Sequence, residues 1–283
     1  MVSTPTALNL EAAAFGDRPG RIDLPAARSA ADFWLRAVAL GGQGRYAAAR
    51  ADSIRARRAP DADSTLESLT LSTDASLLRQ LGGHARAAEL DGAALARVSG
   101  VSAESAVLAR CDALTGLAAD ALGLGRLSLS QRLLDRCDEM LCSSSLSDVG
   151  SWRQRIRLHW VRAELAMAQG APERANREAD LGADLARQSP SVRHRVKSDL
   201  LVAAARCVAG DLVQSREIAA DVEKRCAEFG LLPLRWASAM LLDGIGGAND
   251  AATTVHASAR EIERRGGRFH EPLLLPGDAD IGS

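Results

Sequence analysis

Aromatic side chains are nearly missing from this chain: nine among 283 residues, or 3%, with a single tyrosine. A core without large rings must be built from alanine, leucine and valine, within a hydrophobic fraction of 47%. Alanine has the best helix propensity and its small side chain lets helices approach closely, so the expectation is an all-α protein. Lysine is as scarce, with Lys197 and Lys224 the two among 35 cations. That bias reflects codon composition rather than function. A net charge of −1 provides no global field to attract nucleic acid or an anionic membrane. No apolar run approaches the roughly 18 residues that a membrane span requires. The N-terminal MVSTPTALNLEAAAFGDRPG has neither the basic leader nor the continuous apolar stretch of a signal peptide. Cys111, Cys137, Cys142, Cys207 and Cys226 are odd in number and show no CxxC spacing, which reads as buried thiols in a reducing cytoplasm.

Catalytic and cofactor motifs are missing as well. GLGRLSLS at 123–130 lacks the Gly-Lys-Ser/Thr ending of a phosphate loop, and no strand pattern precedes it. His84, His159, His194, His256 and His270 are scattered without HExxH, so no metal site is expected. No GxSxG occurs. The sequence reads as a non-enzymatic protein with no catalytic residue and no cofactor.

What is present is a recurring glycine break. GRYAAA at 44–49 is followed by GGHARA at 82–87, GRLSLS at 125–130, GAPERA at 170–175, GDLVQS at 210–215 and GANDAA at 247–252. The anchor glycines Gly44, Gly82, Gly125, Gly170, Gly210 and Gly247 lie 38, 43, 45, 40 and 37 residues apart. Five residues after each comes Ala or Ser: Ala49, Ala87, Ser130, Ala175, Ser215, Ala252. A glycine can adopt the left-handed conformation that caps the end of one helix. A small residue one turn into the next helix lets the two helices close on each other. Apolar stripes at helical spacing flank the breaks, for example Leu114, Leu117, Ala118 and Ala121 before one and Leu133, Leu134, Cys137 and Leu141 after it. Each unit is therefore helix, glycine turn, helix. A single hairpin cannot bury its own apolar face, so the units are expected to stack.

This pattern resembles the tetratricopeptide repeat (TPR) family. The first unit fits best: Phe33-Trp34 opens the first helix, Gly44-Arg45-Tyr46 makes the turn, Ala49 and Ala56 pack inside, and Pro60 ends the second helix. In the sixth, Trp236 stands eleven residues before Gly247, followed by Ala252 and Ala259. The third and fifth keep the glycine and the small residue but lack the aromatics, and the spacing exceeds the family's usual 34. The resemblance spans about residues 28–266 and implies a TPR-like right-handed superhelix of about six helical hairpins with a concave ligand groove. The domain reading is a loosely ordered arm at 1–27 with a short helix near Leu8–Ala14, a helical repeat domain at 28–269, and a tail at 270–283. Two polar stretches, 60–74 and 142–150, read as linkers, with Ser147 or Asp148 as a helix cap in the second.

The strongest candidate site lies in 151–199. Arg153, Arg157, Trp160 and Glu164 recur at helical spacing on one face of SWRQRIRLHWVRAE. Counted back from Gly210 as from Gly170, Arg193 matches Arg153 and Lys197 matches Arg157. Stacked side by side, the four cations form a two-by-two cluster beside Trp160. Residues 150–235 hold 15 Arg and Lys against 11 Asp and Glu. Guanidinium groups suit a carboxylate, a phosphate or an acidic peptide, because they bind these in bidentate fashion. The competing reading is a solvated helix face whose arginines pair internally with Glu164, Glu173 or Asp199. Function is thus expected to be that of an interaction module or adaptor, for which the family resemblance implies a regulatory, transcription-linked role. It would hold a protein or peptide segment in the groove, with no membrane partner and no nucleic acid. The alternatives are a sensor of a small ligand or signal peptide, a helical-repeat RNA binder, and an all-α enzyme.

Overall fold

The computed structural model describes residues 5–143, 148–247 and 250–270. Among these residues there are thirteen helices and no strand. They run α1 (Pro5–Phe15), α2 (Ala30–Gly42), α3 (Tyr46–Arg58), α4 (Ser64–Arg79), α5 (His84–Arg97), α6 (Glu104–Gly123) and α7 (Leu127–Ser143). They continue with α8 (Asp148–Ala168), α9 (Pro172–Arg187), α10 (Val192–Val208), α11 (Leu212–Glu228), α12 (Leu232–Gly244) and α13 (Ala251–Arg264).

From α2 onward each even-numbered helix packs on its successor across a short turn, and α2, α4, α6, α8, α10 and α12 also pack in series. The turns carry left-handed glycines at Gly44, Gly82, Gly125, Gly170 and Gly210. The last turn differs from the sequence expectation: the positive φ falls on Gly246, not on Gly247. The small-residue position shifts with it, so that Ala251 is buried and Ala252 is exposed. Ala49, Ala87, Ser130, Ala175 and Ser215 are each fully buried. Tyr46 fills the first turn and donates its hydroxyl to Gln80 Oε1 at 3.1 Å.

Two stretches differ from their reading as connectors. Most of 60–74 lies in α4, capped by Asp63, whose carboxylate accepts from Leu66 N at 2.7 Å. Its hydroxyls disguised the helix because they face inward: Ser68, Thr70 and Ser72 are buried, and Thr70 and Thr73 donate to Leu66 O and Leu69 O one turn back. Residues 5–27 are tied down rather than forming a loose arm. After α1 the chain crosses the N-terminus of α10, where Val192 N donates to Gly16 O at 3.0 Å. Gln43 Nε2 then holds Pro19 O and Arg21 O at 2.8 and 2.9 Å. Ser147 and the tail from 271 lie outside the described residues, and Asp148 is the first residue of α8.

The series closes on itself. Ala47 N donates to Arg265 O at 3.0 Å, Arg50 to Gly266 O at 2.8 Å, and His270 N to Leu81 O at 2.8 Å. Leu40, Tyr46, Leu77 and Leu81 share one apolar cluster with Ile262, Leu232, Trp236 and Phe269. The end of α13 thus lies beside α3, and α2, α4, α6, α8 and α10 each turn residues toward a common interior. Cys111, Cys137 and Cys226 are buried thiols, whereas Cys142 is exposed. No described helix is long and apolar enough to cross a membrane.

Candidate functional site

The four predicted cations do come together. Arg153 and Arg157 lie one turn apart on α8. Arg193 and Lys197 lie one turn apart on α10, whose first turn is capped by Ser191. The internal partner of the arginines is none of the carboxylates expected from the sequence. It is Asp112 on α6: Arg153 Nη2 donates to Asp112 Oδ2 at 2.5 Å, Gln154 Nε2 donates to the same oxygen at 3.0 Å, and Arg157 Nε lies 3.5 Å from Oδ1. Arg162 points away, to Asp138 on α7 at 2.8 Å. Asp112 was missed because it sits in the apolar run CDALTGLAADAL, yet a signal existed. Counting 13 residues back from Gly125, Gly170 and Gly210 gives Asp112, Arg157 and Lys197.

Trp160 is a packing residue rather than an anchor open to solvent. It is buried in the cluster of Ile156, Ala186 and Leu201, and its Nε1–H is spent on Ser198 Oγ at 2.8 Å. The Lys197 ammonium sits 4.5 Å from its ring centroid, a cation–π contact. Burial pulls the Lys197 pKa down, and Glu164 is the charge that opposes this. His194 also stacks on Trp160, centroids 5.2 Å apart, and Trp152 meets the His194 ring edge-on at 4.9 Å. Burial first, and then the neighbouring cations, hold His194 neutral with a pKa far below the usual imidazole value.

Arg193 is the unusual member. Among the described residues its guanidinium has no carboxylate partner; it donates to Ala14 O and Val38 O, each at 3.4 Å, the long limit of a hydrogen bond. Burial, then Arg153 and Arg157, push its pKa down to about 10. Arg153 lies over the rings of Phe15 and Trp34, at 4.9 and 5.7 Å.

Of these groups Asp112, Arg153, Arg157, Arg193, His194 and Phe15 line a cavity of about 60 Å³, and Lys197 and Trp160 do not. Arg153, Arg157 and Arg193 form one wall; Ser72, Thr73, Ser76 and Gln80 of α4 form another; Phe15, Val38 and Leu77 complete it. The inner face therefore holds a narrow, partly open recess with Phe15, at the end of α1, in its lining. Beside it Arg79 pairs with Asp91 and, at 2.7 and 3.0 Å, with both oxygens of Asp120, and His84 Nδ1 lies 3.3 Å from Asp120. Burial raises the Asp91 carboxyl to about 7 against the pull of Arg79. A wider depression of about 330 Å³ lies near Ile22, Leu40 and Arg45, where Arg36 and Arg55 both pair with Asp52 at 3.0 Å.

Among the described residues, no group of three or more His, Cys, Asp or Glu side chains could hold a metal ion. The chain matches no protein-family model, and a search of curated proteins finds no match.

Proposed function

We propose that this chain is a non-enzymatic, TPR-like helical-repeat protein of six hairpins that binds an anionic ligand at its inner face. One observation carries the reading: three guanidinium groups, Arg153, Arg157 and Arg193, share a chamber with one carboxylate, Asp112. Excess buried positive charge is costly unless an anion accompanies it. A chamber of about 60 Å³ suits a small free anion better than an extended peptide. Such a ligand would touch helices from opposite sides of the series, α4 and α10, and tighten them on each other. A regulatory or adaptor role follows, in which a cytoplasmic partner protein reads the tightened state from outside.

Thermal unfolding in a series of sodium salts at matched ionic strength tests this. A small anion is expected to raise Tm beyond chloride, and Arg157→Gln to reduce that gain. Equal Tm in all salts would sink the proposal. A second reading, an acidic peptide in a widened groove, is favoured by the packing of α1, which rests mainly on α2 and only lightly on α10. It predicts binding of acidic peptides that Arg157→Glu with Lys197→Glu abolishes.

A further inference from the structure

We infer that the ligand of this chamber is a short monocarboxylate of two to four carbons, held head-first on Arg193 and Arg153 with its hydrocarbon end toward Val38 and Leu77. The inference rests on the anion-binding reading above and narrows it to a chemical class.

Four observations converge. The first is the free donor capacity of Arg193, whose two carbonyl contacts at 3.4 Å are weak compared with a charge-assisted, bidentate carboxylate pair. The second is Ser72 on the facing wall: its hydroxyl is buried and lines the chamber, and beside the Asp91 carboxyl it completes no well-aligned hydrogen bond. Leaving such a group unmatched is costly, and a ligand oxygen would satisfy it.

The third is charge. Five interacting cations, the four on α8 and α10 together with Arg79, face four carboxylates: Asp91, Asp112, Asp120 and Glu164. The set is therefore short of at least one negative charge, which an anionic ligand supplies. The fourth is size and polarity. About 60 Å³ has room for roughly four to six water-sized groups. Acetate through butyrate span that range. Phosphate also fits by size, but its four oxygens would need donors all round. Hydrocarbon from Phe15, Val38 and Leu77 supplies none.

Titration calorimetry of the full chain with the sodium salts of acetate, propionate, butyrate, succinate and inorganic phosphate, at fixed pH and ionic strength, decides the matter. Propionate or butyrate is expected to bind most tightly. Affinity should fall at least tenfold in Arg193→Gln and severalfold in Ser72→Ala, with the helical circular dichroism of both unchanged. Val38→Leu, which shortens the apolar end, should shift preference from butyrate toward acetate. That variant keeps the test decisive if Arg193→Gln does not fold. Binding of phosphate without carboxylates overturns the ligand class while leaving the anion-binding reading intact. Binding of no anion overturns both. Carboxylate binding unaffected by Arg193→Gln and Ser72→Ala overturns the assigned place.

Discussion

Replacing Asp112 with asparagine would strip Arg153 and Arg157 of their shared carboxylate while leaving both inside the protein. Breaking a buried ion pair from one side costs roughly 3–5 kcal/mol. The two arginine side chains remain 17% and 22% exposed, so the lower end, about 3 kcal/mol, is expected in urea denaturation. Arg193→Met should behave in the opposite way. It removes a buried cation that has no carboxylate partner among the described residues, so Tm should stay level or rise even as anion binding is lost. Asp91 gives a pH signature. Its folded carboxyl sits at about 7, above the unfolded value of about 3.9, so between these values the folded state holds more protons. Stability from this group is therefore present at low pH and lost as pH rises through 7. Denaturation midpoints of Asp91→Asn should gain on the wild type from pH ~4 to ~7 and run parallel to it above that window. These residues differ in how far the sequence revealed them. Arg153, Arg157, Arg193 and Lys197 were legible from helical spacing and repeat register. Asp112 and Ser72 were not, because a polar group facing a buried chamber interrupts an apolar stripe instead of marking a surface.

Glycines separate the helices that tolerate change from those that do not. Gly92, inside α5, has open space where a Cβ would stand, so Gly92→Ala should stabilise by about 0.5–1 kcal/mol through helix propensity. Gly125 has the same open space but a φ of +71°, and Gly125→Ala should cost about 1 kcal/mol. Paired thermal melts of the two variants are expected to move in opposite directions. Gly116 of α6 is constrained for another reason: an added Cβ would collide with Asp91 Oδ2, so α5 and α6 can approach only across a bare backbone. The turns were the most legible elements because their chemistry is local. α4 escaped notice since its capping Asp63 and inward hydroxyls read as a polar linker. The last turn was misplaced by one residue because Gly246 and Gly247 are adjacent and composition cannot say which carries the positive φ.

At the scale of the molecule, closure is the feature that the sequence could not reveal. It rests on backbone bonds such as Ala47 N to Arg265 O and His270 N to Leu81 O, which leave no mark in side-chain patterning. Open helical arrays lose structure from their ends, since each unit contacts only its neighbours. Here both ends are bonded to each other, so amide hydrogen exchange should show α2 and α13 protected nearly as well as α6 and α8. Early exchange confined to α13 would contradict that picture. The closure also bears on how such a chain can change over generations. An open array can gain or lose a helix pair by duplication or deletion and keep its fold. In this chain an inserted pair would carry Arg265 and His270 away from the partners they now reach on α3 and at Leu81. The number of helix pairs between α3 and α13 is therefore tied to the geometry of this seam.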